Sequence, residues 1–245
     1  MMEESFAFAC PCGDPLMEPL FALLEDVLLR ARQGELTHYE SAELASGRLA
    51  VCLLKQTGSA PRNLHHAATL SRALYQSYVS WFLYSSEWLD ALALLLRKCG
   101  RTRVLEVAAG CGVLAAPMRR RGLDWRTTDV HPARTGLPNE EPPEQLAALS
   151  ALARHGDDTD VVFWAWWPRE DTGDAALAAE CARRRLPAIF VGDEHGCTGS
   201  NALWERDIQP LTEQSVAEDV DVPCWLGVRD RTWISDAALL SFIKS

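Results

Sequence analysis

The chain has 245 residues, 48% of them hydrophobic, and a formal net charge of −10 at pH 7. That length suffices for one α/β domain with an added helical layer, needing no disulfide or metal staple, and the apolar fraction excludes global disorder. The acidic balance argues against nucleic acid as a substrate, because phosphate contacts dominate that affinity, and it fits a small molecule or a basic partner.

Taken in order, residues 1 to 15 read as a loose arm. From Pro19, Leu20, Leu23, Leu24, Val27 and Leu28 repeat at the spacing of one helical face, and Gly34 stops that helix. Thr37 and Glu40 form a capping box that opens a second helix, interrupted by Gly47. Leu49 to Leu54 reads as a third helix or a buried turn, ended by Gly58 to Pro61. A long helical segment from Asn63 carries the aromatic stripe Tyr75, Tyr78, Trp81 and Phe82, which is core or the wall of a ligand pocket. Ser86 caps a further helix through Lys98, with Gly100 at its end. Residues 1–98 thus form a helical cap, and 99–245 a core of another kind.

That core begins with a strand over 103–107, a helix over 112–121 and a strand over 125–129. The proline-rich stretch 138–143 is hard to read as a strand, so a third core strand is missing at this point. Glu144 to His155 reads as helix, 160–164 as a buried strand, 174–185 as helix and 188–191 as a buried strand. Ser200 opens a helix over 201–207. Weaker strands near 216–221 and 229–234 suggest an antiparallel hairpin at the sheet edge. Short apolar strands alternating with helices indicate a mostly parallel sheet covered on both faces. The triplets at 119–121 and 183–185 are arginines that end predicted helices, where cations complement the dipole.

The eight cysteines contain no Cys-x-x-Cys pair and no metal-site spacing, Cys10 and Cys12 being the one close pair. Reduced thiols and no metal are therefore expected. The run Ala91 to Leu96 is too short to span a bilayer, and Glu3 and Glu4 place acid where a secretory signal carries base. The expectation is a soluble cytoplasmic protein without a membrane partner. The sequence gives no oligomeric state.

The stretch around Gly110 and Gly112 joins a strand to a helix through a turn where a ligand can lie against the main chain at the helix N-terminus. Seventeen residues after Gly112, Asp129 ends the next strand, where a carboxylate can take both hydroxyls of a ribose. Two ligand classes fit. Gly110, Gly112 and Ala115 also satisfy the dinucleotide fingerprint. Three features favour S-adenosylmethionine instead. Glu106 would receive an ammonium but repel a pyrophosphate, about a hundred residues precede the turn, and no Tyr-x-x-x-Lys pair follows.

Ligands of open parallel sheets bind at the carboxyl ends of the strands. After strand 160–164 come Ala165, Trp166, Trp167, Pro168 and Arg169; after strand 188–191 come Gly192, Asp193, Glu194, His195, Gly196, Cys197, Thr198, Gly199 and Ser200. Trp164, Trp166 and Trp167 are either core or a wall for substrate or adenine, and such a wall can also hold an amine or a sulfonium by cation–π attraction. The 192–200 loop offers backbone donors through its glycines, with Asp193, Glu194 and His195 as polar contacts.

The run 104–112, Val-Leu-Glu-Val-Ala-Ala-Gly-Cys-Gly, resembles the first motif of the class I S-adenosylmethionine-dependent methyltransferases. Asp129 matches their ribose-binding acid, and Ala108 stands where many members have a first glycine. The two strand-end loops, together with Pro223, Trp225, Gly227 and Asp230, resemble a little-studied group within that superfamily. Tyr84 falls where the group has a Tyr-Ser segment, Trp167 where it has a proline and Asp193 where it has glutamate. The likeness spans about residues 78 to 235. It implies a Rossmann-like sheet with an antiparallel edge hairpin and an N-terminal helical layer. S-adenosylmethionine is then expected against Tyr84, Glu106, Ala108, Gly110, Gly112, Asp129, Val130 and Trp164, and a small acceptor against Trp81, Trp166, Trp167, Pro168 and Glu194.

The leading reading is methyl transfer to nitrogen or oxygen of a small molecule. A sulfonium is already an activated donor, so alignment in a water-poor pocket is the main task and a strong base is not required. By location alone, His131, Asp193 and His195 are the candidates for one. The rivals are a degenerate methyltransferase fold acting as a binding module, favoured by Ala108 and the missing third strand, and an NAD(P)-dependent oxidoreductase.

Overall fold

The computed structural model describes residues 14–132, 141–194, 198–206, 208–211 and 222–234. The described chain begins with helices α1 (Met17–Arg32), α2 (His38–Ala45), α3 (Arg48–Gln56), α4 (Leu64–Tyr78) and α5 (Ser86–Lys98). Leu20, Leu24 and Leu28 of α1 are each 0% exposed, so the four-residue spacing read from the sequence is the buried stripe. Thr37 caps α2 through a complete capping box with Glu40. Leu49 to Leu54 belongs to α3, which resolves that segment as helix. The cap of α5 is Ser85 rather than Ser86: its hydroxyl accepts from the Trp88 backbone N–H at 3.2 Å.

The sheet is built from β1 (Arg103–Glu106), β2 (Asp124–Asp129), β3 (Glu144–Gln145), β4 (Val161–Ala165), β5 (Ala188–Gly192), β6 (Gln209–Pro210) and β7 (Arg231–Ile234), with α6 (Ala115–Arg120), α7 (Ala148–His155), α8 (Gly173–Arg184) and α9 (Asn201–Trp204) between them. Its order is β3-β2-β1-β4-β5-β7-β6. The strands from β3 to β5 are parallel, whereas β7 runs antiparallel to both β5 and β6. The molecule is therefore α/β and Rossmann-like, with an antiparallel pair at one edge. Chain direction across the sheet reverses between β1 and β4, and the crevice above their carboxyl ends is the topological switch point.

Three expectations need correction. The third core strand is present: Glu144–Gln145 pairs in parallel with Thr128 and Asp129, so α7 starts only at Ala148. Two residues without apolar periodicity carry too little pattern to be read as a strand. The partner of β7 at the edge is Gln209–Pro210, whereas the strand expected near 216–221 lies outside the described residues. Helix α9 is one turn, ending at Trp204.

The two faces of the sheet differ. Val104, Phe163, Ile189 and Ile234 pack with the five N-terminal helices in one continuous core. Leu105, Val162, Trp164, Phe190 and Trp233 pack with α7 and α8 in a second. Successive strand residues point to opposite faces, which produces this division. Helix α5 is tied to β7 by Trp88, whose Nε1 donates to Thr232 Oγ1 at 3.0 Å. Among the described residues, no helix is long and apolar enough to cross a membrane.

Candidate functional site

β1 delivers Glu106 to the face covered by the helices and then turns sharply. Ala108 adopts φ 51°, Gly110 φ 61° and Gly112 φ 72°, all in the left-handed region. Glycine enters it freely, while alanine pays a steric cost, so Ala108 is the strained member of the turn. A Cβ on Gly112 would come within 2.9 Å of Pro143, but one on Gly110 would meet nothing within 4 Å. Open space thus lies against the Gly110 backbone, where a ligand can approach.

Asp129 ends β2 beside this turn. Its Oδ2 accepts from the Gly110 N–H at 2.8 Å and its Oδ1 from the His131 N–H at 2.7 Å. A carboxylate oxygen has two lone pairs, so the half-buried Asp129 holds both loops and keeps acceptor capacity for a further pair of hydroxyls. Val130 next to it is 51% exposed, an apolar edge beside a polar carboxylate.

Glu106 is only 4% exposed, and its Oε2 accepts from Trp125 Nε1 at 2.6 Å. Burial pushes its carboxyl up to about 8; the charge of Asp129 adds to that, and the Trp125 bond opposes it. A buried group in this condition favours a cationic partner, which would stabilise the ionised form. Tyr84 is 1% exposed. Burial raises its hydroxyl well above the usual tyrosine value, with Tyr75, Cys111 and Glu106 adding and Arg32 opposing. Its hydroxyl finds no hydrogen-bond partner among the described residues. Arg32, 5% exposed, donates to the Tyr78 carbonyl at 3.0 Å and lies over the Tyr78 ring. Glu106, Tyr84 and Arg32 therefore make a polar corner inside an otherwise apolar layer.

The ends of β4, β5 and β7 form a second group. Trp166 leaves β4 with φ 54°. Its Nε1 donates to both Asp230 oxygens at 2.9 Å, its ring stacks on Trp81 at 6.3 Å, and the Arg72 guanidinium lies 5.1 Å from its centre. Trp81 is 61% exposed, so the stack reaches solvent. Asp230 is buried, and desolvation holds its carboxyl up at about 7, with Trp166 opposing, Asp193 adding and Arg72 opposing. Asp193 is also buried; it accepts from the Arg229 N–H at 3.4 Å, and its own N–H donates to Thr198 Oγ1 at 2.8 Å. Asp174, fully buried in α8, takes the Ser200 hydroxyl and N–H at 2.6 and 2.7 Å and so fixes the end of this loop.

The sequence-derived site is divided by these positions. Glu106, Ala108, Gly110, Gly112, Asp129, Val130 and Tyr84 gather at the turn, and Trp81, Trp166 and Asp193 at the strand ends. Trp164 and Trp167 belong instead to the second core. Trp164 stacks face to face with Phe190 at 4.9 Å, and Trp167 packs with α8, so neither ring is offered to a ligand. Pro168 and Glu194 are exposed, Glu194 lying 4.0 Å from Arg231. The exposed His131 contributes only its backbone N–H to the bonds at Asp129, and His195 lies outside the described residues. Asp230, quoted for the resemblance but given no site role, and Arg72 were missed as members of this group. The signal for Asp230 was its place at the end of the run from Pro223 through Trp225 and Gly227, just before β7; nothing local marked Arg72. Neither any protein-family model nor any curated protein matches the chain.

Proposed function

We propose that the protein is a class I-type S-adenosylmethionine-dependent methyltransferase acting on nitrogen or oxygen of a small molecule. The observation that carries this reading is the pairing of a buried acid, Glu106, with a half-buried one, Asp129, on either side of a Gly110 backbone that faces open space. The fit is chemical. Glu106 would take the ammonium of the cofactor's amino acid, close to the buried hydroxyl of Tyr84, Asp129 would take the ribose and Val130 an adenine edge. The cofactor supplies an activated methyl group. The chain's own residues bind and orient it, and the helical layer keeps water from the face on which both groups of residues lie.

The antiparallel pair β6–β7 at the sheet edge agrees with the expectation from the resemblance. The presence of β3 removes one argument for a degenerate binding module, leaving the strained Ala108 as its support. A pyrophosphate would raise the cost of ionising Glu106 further, whereas an ammonium would offset it, which favours the amino-acid cofactor over a dinucleotide. Calorimetric titration with S-adenosylmethionine, S-adenosylhomocysteine and NADH tests the three readings together. Micromolar binding of the first two and none of NADH is expected; binding of NADH alone would overturn the proposal.

A further inference from the structure

A cleft of about 530 Å³ lies between α2 and the 222–231 segment, which is the size of small-molecule sites. Both of its walls are fixed. Helix α2 is closed by its capping box and tied to the stretch before α5 by Ser41, whose hydroxyl donates to the Tyr84 carbonyl at 3.2 Å. Opposite it, the buried Trp225 ring packs edge-on against Tyr75 at 5.3 Å, and the Cys224 thiol donates to the Val222 and Asp230 carbonyls at 3.2 and 3.4 Å, closing the segment on itself. A cleft held in this way is formed before its ligand arrives.

Its lining joins apolar surface to cations. Ala42, Ala45, Val222, Leu226 and Val228 supply the apolar part, and Leu226 is left 52% exposed. The titratable side chains along it, the Cys224 thiol apart, are His38, Arg229, Asp230 and Arg231. Asp230 is 3% exposed and has both carboxyl oxygens on Trp166 Nε1, so its polar atoms are turned to that ring. Arg231 lies 4.0 Å from Glu194, which offsets part of its charge without lining the cleft. Arg229 is exposed and enters no ion pair among the described residues. On a chain with a net charge of −10, a cleft whose exposed charges are two arginines runs against the rest of the surface.

We infer that this cleft binds a small organic anion, with its apolar body against Leu226 and α2 and its carboxylate on the Arg229 and Arg231 guanidiniums. A guanidinium presents paired N–H donors that match a carboxylate. Apolar surface removed from water at Leu226 and Val228 adds affinity that an inorganic anion lacks. A cation would meet two arginines, and a neutral hydrocarbon would leave their donors unused. The inference is independent of the methyltransferase reading, because neither Glu106 nor Asp129 lines the cleft.

The test titrates the full-length protein with octanoate, octylammonium and acetate, using calorimetry for affinity and the backbone amide resonances of Ala45 and Leu226 for location. Octanoate should bind saturably and shift both amides. Octylammonium, which has the tail without the negative head, and acetate, which has the head without the tail, should each bind at least about tenfold more weakly. Arg229→Gln should weaken octanoate about fivefold and Leu226→Ser about threefold. Both side chains are exposed, so both variants keep the fold, and either one alone decides the matter. Absence of octanoate binding, equal binding of octylammonium, binding that leaves the Ala45 and Leu226 amides unmoved, or unchanged octanoate affinity in the variants would overturn the inference.

Discussion

The same strands present two different surfaces. Towards α7 and α8 the sheet offers Leu105, Val162, Trp164, Phe190 and Trp233, an apolar layer. Towards the N-terminal helices it offers Val104 and Phe163 but also Glu106, with Asp230 and Trp166 beyond the strand ends. A buried ionisable group costs several kcal/mol unless compensated; on the α8 side the buried Asp174 is compensated by the Ser200 hydroxyl and N–H, whereas Glu106 and Asp230 lie on the other face with their carboxyls held above the ordinary range, which sets that face apart. The single tryptophan cluster 164–167 divides along the same line: Trp164 and Trp167 fill the plain face, and Trp166, through its left-handed backbone, turns to the polar one.

Removing the ring from each side should break the comparison most visibly. Trp164→Ala empties a stacked position of the plain face and should cost about 3–5 kcal/mol, seen as a large fall in melting temperature with cofactor affinity lost only through unfolding. Trp81→Ala should shift the melt by less than about 1 kcal/mol and leave S-adenosylhomocysteine affinity within a few-fold. Equal destabilisation by the two would erase the distinction.

The carboxyls of the polar face make stability depend on pH. Glu106 is held at about 8 and Asp230 at about 7, both above their ordinary values of 4.5 and 3.8. A group raised on folding stabilises fully below its unfolded value and loses that contribution as pH rises through the folded one. The ligand-free protein should therefore lose stability between about pH 5 and pH 9. Glu106→Gln should flatten that loss by about 5 kcal/mol at pH 9, measured by urea unfolding across the range. A variant with the wild-type slope would contradict the burial of this acid.

On the cofactor side, Asp129→Ala removes the acceptor for the Gly110 and His131 N–H groups as well as for ribose. The loss should be about 1.5–3 kcal/mol in S-adenosylhomocysteine affinity by calorimetry. The smallest effect belongs to Ala108→Gly, which relieves the left-handed strain at φ 51°. It should raise stability by no more than about 1 kcal/mol and leave cofactor affinity unchanged.

How much of this was legible followed from sequence separation. The turn from Glu106 to Asp129 is local, so its strand, glycines and acid could be read from spacing alone. The strand-end group joins Arg72 on α4, Trp166 after β4 and Asp230 before β7, residues up to 158 positions apart, and no periodicity announces such a meeting. Period-two alternation did carry a usable signal within β4. Val161 and Phe163 share one face and Val162 and Trp164 the other, so Trp164 could have been set apart from a wall facing the helices. Two-residue strands such as β3 and β6 gain their pairing from neighbours rather than from their own pattern, and only tertiary structure shows them.

The central claim, that Glu106 receives the ammonium of S-adenosylmethionine, is tested most directly by counting protons. At pH 7 a carboxyl held at about 8 is mostly protonated, and docking of an ammonium favours its ionised form, so a proton must leave. Calorimetry of S-adenosylhomocysteine binding in buffers of different ionisation enthalpy measures that release. Close to one proton should leave per ligand bound in the wild type, and none in Glu106→Gln or when methylthioadenosine, which lacks the amino-acid end, is the ligand. Binding of S-adenosylhomocysteine without proton release, or the same release in Glu106→Gln, would contradict the account.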